Sequence, residues 1–297
     1  MTVYNQISEN RVKTFFIMFV FILIFSSFFF LIGKYYDFPW GYFFLGLIIS
    51  SISSIGSYFY GDKLVLLTTG AKSADKKTYF NFYTVAENLA LASGLPMPKL
   101  YVIDDPSPNA FATGRDPKHA VVCATTGLLE IMNRTELEGV IAHELSHVKN
   151  YDILLASIVA VLVGTLALIS DWVMRSMWWG NRGRDDDRNN RNPIFLVLLI
   201  ISLILTPIIA TIIQLAISRK REYLADASGV LLTRYPEGLV HALEKLQANP
   251  QPMRRAASST AHLFIDNPFK KKNSSWFVNL FSTHPPIEER IRILKNL

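Results

Sequence analysis

The sequence predicts a mainly α-helical, multi-span membrane protein with a small β-sheet. Of its 297 residues, 50% are hydrophobic and only 18% are charged, and the mean hydropathy of +0.24 is high for a soluble domain. The apolar residues are concentrated in long uncharged stretches, whereas a soluble core would space them periodically. Shorter segments between these stretches carry helix and strand patterns. Together these features exclude disordered, collagen-like and coiled-coil proteins.

Two uncharged stretches near the N-terminus predict a first membrane hairpin within residues 1–60. At a helical rise, residues 14–33 cover roughly 30 Å, the thickness of a bilayer core. A cleaved signal peptide is the alternative, but the stretch is longer than a usual h-region and no small-residue cleavage motif follows it. Residues 40–60 carry aromatic residues at both ends, as in an interfacial belt, and form the second predicted span.

Residues 153–170 and 194–218 predict a second hairpin, although the sequence leaves open whether these segments cross the bilayer completely. Basic residues precede the first span and follow the second and fourth, which predicts cytoplasmic termini. Arginines between residues 181 and 192 argue for the opposite orientation, but aspartates lie among them. We therefore expect both termini and residues 61–152 to be cytoplasmic.

The polar segments 61–152 and 219–297 are each small for a stable core, so we expect them to fold together, with residues 153–218 as an inserted hairpin. Residues 79–93 have a helical pattern that ends at a glycine and a proline. Residues 99–103 and 119–124 resemble strands, and residues 107–114 between them are extended and favour an exposed edge.

Cysteine content and charge exclude two further classes of protein. Cys123 is the only cysteine, so there is no disulfide framework, and its simplest role is that of a small buried hydrophobic residue. The net charge of +6 fits the basic flanks of membrane spans better than it fits nucleic-acid binding.

One helix carries a pattern suited to metal binding. The segment Thr135-Glu136-Leu137-Glu138 predicts its capped start. His143 and His147 follow at i and i+4, so both imidazoles project from one side and can bind a single Zn²⁺ at about 2.0 to 2.1 Å. Glu144 lies between them and can act on a water molecule at the metal. The pattern is short enough to occur by chance, so its context decides.

A catalytic zinc needs a third protein ligand, and the candidate is Glu222. Asp226 follows one turn later on the same helical face, where it can accept the N–H of a ligating imidazole and orient it. The alternative is that both carboxylates only neutralise the basic residues at 219–221. Since a single hairpin separates His147 from Glu222, both emerge on the same side of the membrane, and the histidine motif favours the metal site.

The chain resembles the HtpX family of membrane-integrated zinc metalloproteases, which are gluzincins related to the CAAX prenyl proteases. The resemblance covers nearly the whole chain. It rests on the early membrane hairpin and on five segments: residues 108–114, 143–147, 222–226, 261–264 and 280–290. It implies a zincin-like cytoplasmic metalloprotease domain, with His143, His147 and Glu222 as zinc ligands and Glu144 as the general base. None of these positions departs from the family pattern.

Two further roles are implied by the resemblance. His284 matches a histidine that donates to the substrate carbonyl, and Arg290 matches a residue near the carboxylates of the metal site. Taken by itself, Arg290 lies on a predicted helix with an apolar face and is equally compatible with an exposed charge.

The resemblance also implies a substrate-binding edge strand that pairs with an extended peptide. Its residues are Asn109, Ala110, Phe111, Ala112, Thr113 and Gly114. The alternative is an ordinary loop. His119, His241 and His262 lack a ligand partner at helical spacing, and we expect them to be structural or surface histidines.

The predicted function is that of a zinc endopeptidase with one catalytic Zn²⁺ that cleaves misfolded or damaged membrane proteins. The resemblance implies an enzyme of protein quality control and the stress response in the bacterial inner membrane, with its active site facing the cytoplasm. The implied partners are polypeptide substrates and the lipid bilayer, without nucleic acid, and the oligomeric state is left open.

Two alternatives keep the metal but change the function. A chaperone or scaffold would use zinc structurally, but structural zinc usually has four ligands, often cysteines. A hydrolase of a non-peptide bond is the second alternative, and the predicted edge strand argues weakly against it. Residues 249–283 are long for an irregular segment and suit either a lid or a basic loop facing lipid.

Overall fold

The computed structural model describes residues 3–35, 37–180, 219–249, 251–269 and 285–296. The predicted fourth span at 194–218, residues 270–283 of the predicted irregular segment 249–283, and the predicted site residue His284 lie outside these ranges.

The N-terminal hairpin consists of two long helices, α1 (Val3–Tyr35) and α2 (Pro39–Thr69). Both are long and apolar enough to cross a membrane, and both extend beyond the predicted spans into polar sequence. Gly33 permits the tight reversal between them, because a Cβ atom there would lie 2.7 Å from the Pro39 Cα. Gly46 permits close packing of the two helices, since a Cβ there would lie 2.7 Å from the Phe29 Cβ.

A four-stranded mixed sheet follows the hairpin. Its strands are β1 (Lys72–Ser73), β2 (Lys99–Ile103), β3 (Ala110–Thr113) and β4 (Val121–Thr125). They are arranged in the order β1-β2-β4-β3, with β2 parallel and β3 antiparallel to β4. The predicted strand at 119–124 therefore begins later, because residues 117–119 form a 3₁₀ turn.

The domain core surrounds a buried helix, α5 (Arg134–Lys149). Five other helices of the domain are α3 (Phe80–Ser93), α4 (Thr126–Ile131), α7 (Arg219–Thr233), α8 (Pro236–Ala248) and α9 (Ile287–Leu294). One hydrophobic cluster joins side chains from both segments, for example Val140, Ile141, Leu243 and Leu294.

The start of α5 differs from the prediction. The N-cap is Asn133, whose side chain accepts the backbone N–H of Glu136 while the Glu136 carboxylate accepts that of Asn133. The predicted cap at Thr135 was therefore wrong. Asn133 also completes a capping box with a Glu three residues later, so two overlapping segments satisfied the same rule.

Helix α6 (Asp152–Gly180) contains the third predicted membrane segment. It follows α5 after a bend of 84°, made at Tyr151, which has a left-handed φ of 61°. In the described part of the chain, a third membrane crossing arises only if α5 and α6 are counted as one bent span. Side chains of α6 such as Leu155 and Ile158 pack in one buried cluster with Phe21 and Phe25 of α1.

Candidate metal centre

Three potential metal ligands converge where α5 and α7 pack together. The Nε2 atoms of His143 and His147 are 3.2 Å apart, and they lie 3.7 and 3.6 Å from the two carboxylate oxygens of Glu222. A tetrahedral zinc site with bonds of about 2.05 Å has ligand atoms about 3.3 Å apart. The donor set and its spacing therefore fit one zinc ion.

Close helix packing produces this convergence. Gly229 of α7 lies against α5, and a Cβ atom at that position would be 3.1 Å from the backbone nitrogen of His143. His143 is fully buried, whereas the His147 and Glu222 side chains retain about a tenth of their exposure. An open metal position would therefore lie on the His147 and Glu222 side.

A buried ion pair between Asp226 and Arg290 contacts the Nδ1 side of the His143 ring. Its Nδ1 lies 2.9 Å from an Asp226 oxygen, as expected for a carboxylate that orients a ligating imidazole. Arg290, which is fully buried, donates to both oxygens of Asp226 at 2.9 and 2.7 Å. Arg290 is thus part of the site's surroundings, and the alternative of an exposed helix charge was wrong.

His147 has its own carboxylate partner, which the sequence analysis missed. Its Nδ1 lies 3.0 Å from Oδ2 of Asp152, the first residue of α6. The other oxygen of Asp152 accepts a hydrogen bond of 2.7 Å from the amide of Asn10, which also donates to the Asn150 carbonyl at 2.9 Å. A buried side chain of the N-terminal helix therefore supports the metal centre.

Arg221 joins this network next to Glu222, the third predicted ligand. Its guanidinium lies 3.3 Å from the Asn10 amide oxygen and 3.4 Å from the Asp152 carboxylate. A carboxylate five residues after the second histidine, at the start of the next helix, was the available signal for Asp152. Asn10 had no comparable signal, because its contact depends on the packing of α1 against α6.

The electrostatics of the two histidines differ. Burial, with the nearby Arg290 guanidinium, lowers the pKa of His143 to about 4, so its imidazole is neutral as a metal ligand must be. Burial also opposes a charge on His147, but the carboxylates of Glu222 and Asp152 outweigh it and raise the pKa to about 9. The position between these carboxylates thus favours a cation.

Two buried carboxylates lie in the same surroundings. Burial opposes ionisation of Asp226, but the Arg290 guanidinium and His143 hold the pKa of this carboxyl well below its usual range. Glu144 is 2% exposed, and its charge contributes to raising the pKa of both His147 and Arg290. The Glu144 carboxylate is therefore close to the predicted ligands.

Residues 109–114 lie at the edge of the sheet, with 110–113 forming β3, but all six are buried. The Ala110 carbonyl accepts a hydrogen bond of 2.9 Å from the Ile265 backbone, and the Asn109 side chain bonds both backbone groups of Asp266. Thr113 contacts Ser157 of α6 at 2.7 Å. The predicted exposed edge is thus partly covered by residues 265–266.

The remaining candidate residues lie away from the centre. His119 pairs with Asp116 at 2.7 Å, and His262 is buried 3.0 Å from the Ala156 carbonyl. His241 is an exposed residue of α8. Cys123 is buried as predicted, and burial raises the pKa of its thiol.

Known proteins resemble this chain over its full length. Residues 81–297 match peptidase family M48. A protein named Protease HtpX homolog from Tropheryma whipplei is 48% identical, and the alignment covers 99% of this chain and 98% of that protein. A second protein of that name, from Caldanaerobacter subterraneus, is also 48% identical over 100% of this chain and 98% of its own.

A solved structure titled "Crystal Structure of S. mikatae Ste24p" aligns with a TM-score of 0.47 and 21% identity, covering 94% of this chain and 62% of that one. The family match and the full-length relatives agree with the His-His-Glu cluster and the two apolar helices described above. The chain therefore belongs to peptidase family M48 and is a membrane metallopeptidase of the HtpX type.

Proposed function

We propose that this chain is a zinc-dependent endopeptidase of misfolded or damaged membrane proteins, with residues 61–152 and 219–297 as its catalytic domain. The observation that carries the proposal is the triangle of His143, His147 and Glu222, with buried Glu144 on the same helix as both histidines. Three ligands leave one tetrahedral position open, which is typical of catalytic zinc and not of structural zinc.

The residues then have distinct roles. His143, His147 and Glu222 would hold the metal, which when bound supplies Lewis-acid activation of water and of the scissile carbonyl. Glu144 accepts the proton of the attacking water and returns it to the leaving amine. Asp226 and Asp152 each accept the Nδ1 proton of one histidine, leaving its Nε2 directed at the metal. We assign donation to the substrate carbonyl to His284, following its match to the family pattern.

Substrate binding is assigned to the edge strand. Residues of an antiparallel strand alternate in the edge that their backbone groups face. Since the Ala110 carbonyl faces outward to Ile265, Ala112 is the next residue facing that edge. A peptide added as a further strand would pair there through backbone hydrogen bonds, which permits loose sequence preference.

The position of the centre supports membrane-proximal substrates. Asn10, which contacts Asp152, precedes the predicted first span at residue 14 by about one helical turn. The metal centre would therefore lie at the level of the bilayer surface. The basic residues that flank the spans support a cytoplasmic position for the centre, and the resemblance to the HtpX family supports the bacterial inner membrane.

The test is cleavage of an unfolded reporter protein by the detergent-purified chain, after metal removal and after restoring Zn²⁺. We expect zinc to restore cleavage and Glu144→Gln to abolish it while still binding zinc. Glu138→Gln is the matched control, because Glu138 lies on the same helix in an exposed pair with Arg134. If the parent and Glu144→Gln both bind zinc and neither cleaves, the chain is a scaffold or acts on another bond.

A further inference from the structure

A cationic pocket lies where α2 leaves its uncharged stretch. Its volume is about 290 Å³. Six of the residues that line it are Phe59, Tyr60, Asp62, Lys63, Lys99 and Arg115. None of the metal-centre residues lines this pocket, so it is a separate feature of the described part of the chain.

The lining combines positive charge with aromatic surface. Lys63, Lys99 and Arg115 contribute three cations, and Asp62 contributes one anion. The guanidinium of Arg115 lies 5.5 Å from the Phe59 ring centroid, and the Lys63 ammonium lies 5.2 Å from that of Tyr60. Such contacts fix the direction of the charged groups on the aromatic surface.

Arg115 is further held by its neighbours. One guanidinium nitrogen lies 2.8 Å from the His119 ring, and another lies 3.5 Å from Asp116. Including Asp116, the group keeps a net positive charge, with three cations against two carboxylates. The pocket is therefore suited to an anion that also presents apolar surface.

The position of the pocket along α2 corresponds to the headgroup region of a bilayer. Phe59 and Tyr60 end the uncharged stretch 40–60 and are half exposed, at 50% and 56%. Asp62 and Lys63, the first charged residues after it, lie within about 5 Å of Tyr60 along the helix axis. Aromatic residues followed directly by basic ones are typical of the membrane–water interface.

We propose that this pocket binds the headgroup of an anionic phospholipid whose alcohol carries free hydroxyl groups, such as phosphatidylglycerol. Arg115 and the two lysines bind the phosphate, for which a guanidinium fork and ammonium groups are suited. Asp62 accepts a hydrogen bond from a headgroup hydroxyl, and the acyl chains lie along Phe59 and Tyr60. The proposal does not rest on peptidase activity.

The test compares two double variants with the same loss of charge. Lys63→Ala/Lys99→Ala removes two cations of the pocket, whereas Lys76→Ala/Lys118→Ala removes two exposed lysines outside it. Native mass spectrometry of the full-length chain in detergent measures the first bound phosphatidylglycerol, with phosphatidylcholine as the neutral reference. We expect the pocket variant to bind phosphatidylglycerol roughly tenfold to thirtyfold more weakly, and the control variant to bind it like the parent.

Two further arms identify the ligand. Inorganic phosphate and glycerol phosphate should not displace the lipid at equal concentration, and Lys63→Arg/Lys99→Arg should retain binding. Equal losses in both alanine double variants would show a general charge effect and overturn the proposal. Displacement by inorganic phosphate would also overturn it, because the pocket would then be a site for free anions.

Discussion

At the scale of single residues, the buried charges that contact the proposed metal ligands must balance one another. Arg290 is fully buried, and Asp226 is the carboxylate that binds it through two hydrogen bonds. Removing one partner of a buried ion pair leaves an uncompensated charge, whereas replacing both with apolar residues is often tolerated.

We therefore expect Asp226→Asn to destabilise the metal-free protein by about 3 to 5 kcal/mol. The measurement is denaturant-induced unfolding in detergent, with Asp116→Asn as a control in a partly exposed pair with Arg115. The double variant Asp226→Asn/Arg290→Met should recover much of the loss. An Asp226→Asn protein that unfolds like the parent would show that other groups neutralise Arg290.

At the scale of helices, α1 contributes a side chain to the surroundings of the proposed metal centre and is also a candidate membrane span. Asn10 bonds Asp152, which bonds His147, so the orientation of one proposed ligand depends on the N-terminal helix. Removing such supporting groups typically lowers metal affinity about 10-fold to 100-fold.

Asn10→Ala should accordingly weaken zinc binding by about one to two orders of magnitude. Competition with a zinc chelator measures the affinity directly and does not require peptidase activity. Val12→Ala is the control, since Val12 is on the same helix and 65% exposed. Equal zinc affinity in Asn10→Ala and the parent would show that Asp152 orients His147 without help from α1.

The packing of α7 on α5 sets the position of Glu222. A Cβ atom at Gly229 would lie 3.1 Å from the His143 nitrogen, so Gly229→Ala should move α7 by a few tenths of an ångström. We expect weaker zinc binding, measured by the same chelator competition. Gly56→Ala is the matched control, because a Cβ there would contact nothing within 4 Å. Unchanged affinity would mean that the Glu222 side chain compensates for the shift.

At the scale of the whole molecule, local parts of the site could be predicted from sequence and distant parts could not. The spacing of His143 and His147 is a property of any helix, so it predicted their shared face. The contact between Asp152 and His147 requires the 84° bend after α5, and that of Asn10 requires the packing of α1 on α6. Burial of the edge strand likewise depends on residues 265–266, which are remote in sequence.

The arrangement of the membrane hairpin predicts which side of the bilayer each loop faces. Asp37 lies in the turn between α1 and α2, whereas Lys118 lies in the domain that carries the metal centre. These two positions face opposite sides if α2, which lies between them in the chain, crosses the bilayer. The basic flanks predict that Lys118 is on the cytoplasmic side. The only native thiol, Cys123, is buried with a raised pKa, so it should not react with a maleimide.

We therefore expect a membrane-impermeant maleimide to label Asp37→Cys in cells whose outer membrane or cell wall has been removed and whose inner membrane is sealed. The same reagent should label Lys118→Cys only after the inner membrane is permeabilised. The unmodified chain, which retains Cys123, is the control for background labelling. The reverse pattern would place the proposed metal centre, and with it the proposed phospholipid pocket at the same end of α2, on the side of the membrane that faces away from the cytoplasm. Because the two variants are labelled under identical conditions, a reversed orientation, which would label only Lys118→Cys before permeabilisation, is distinguishable from a leaky membrane, which would label both.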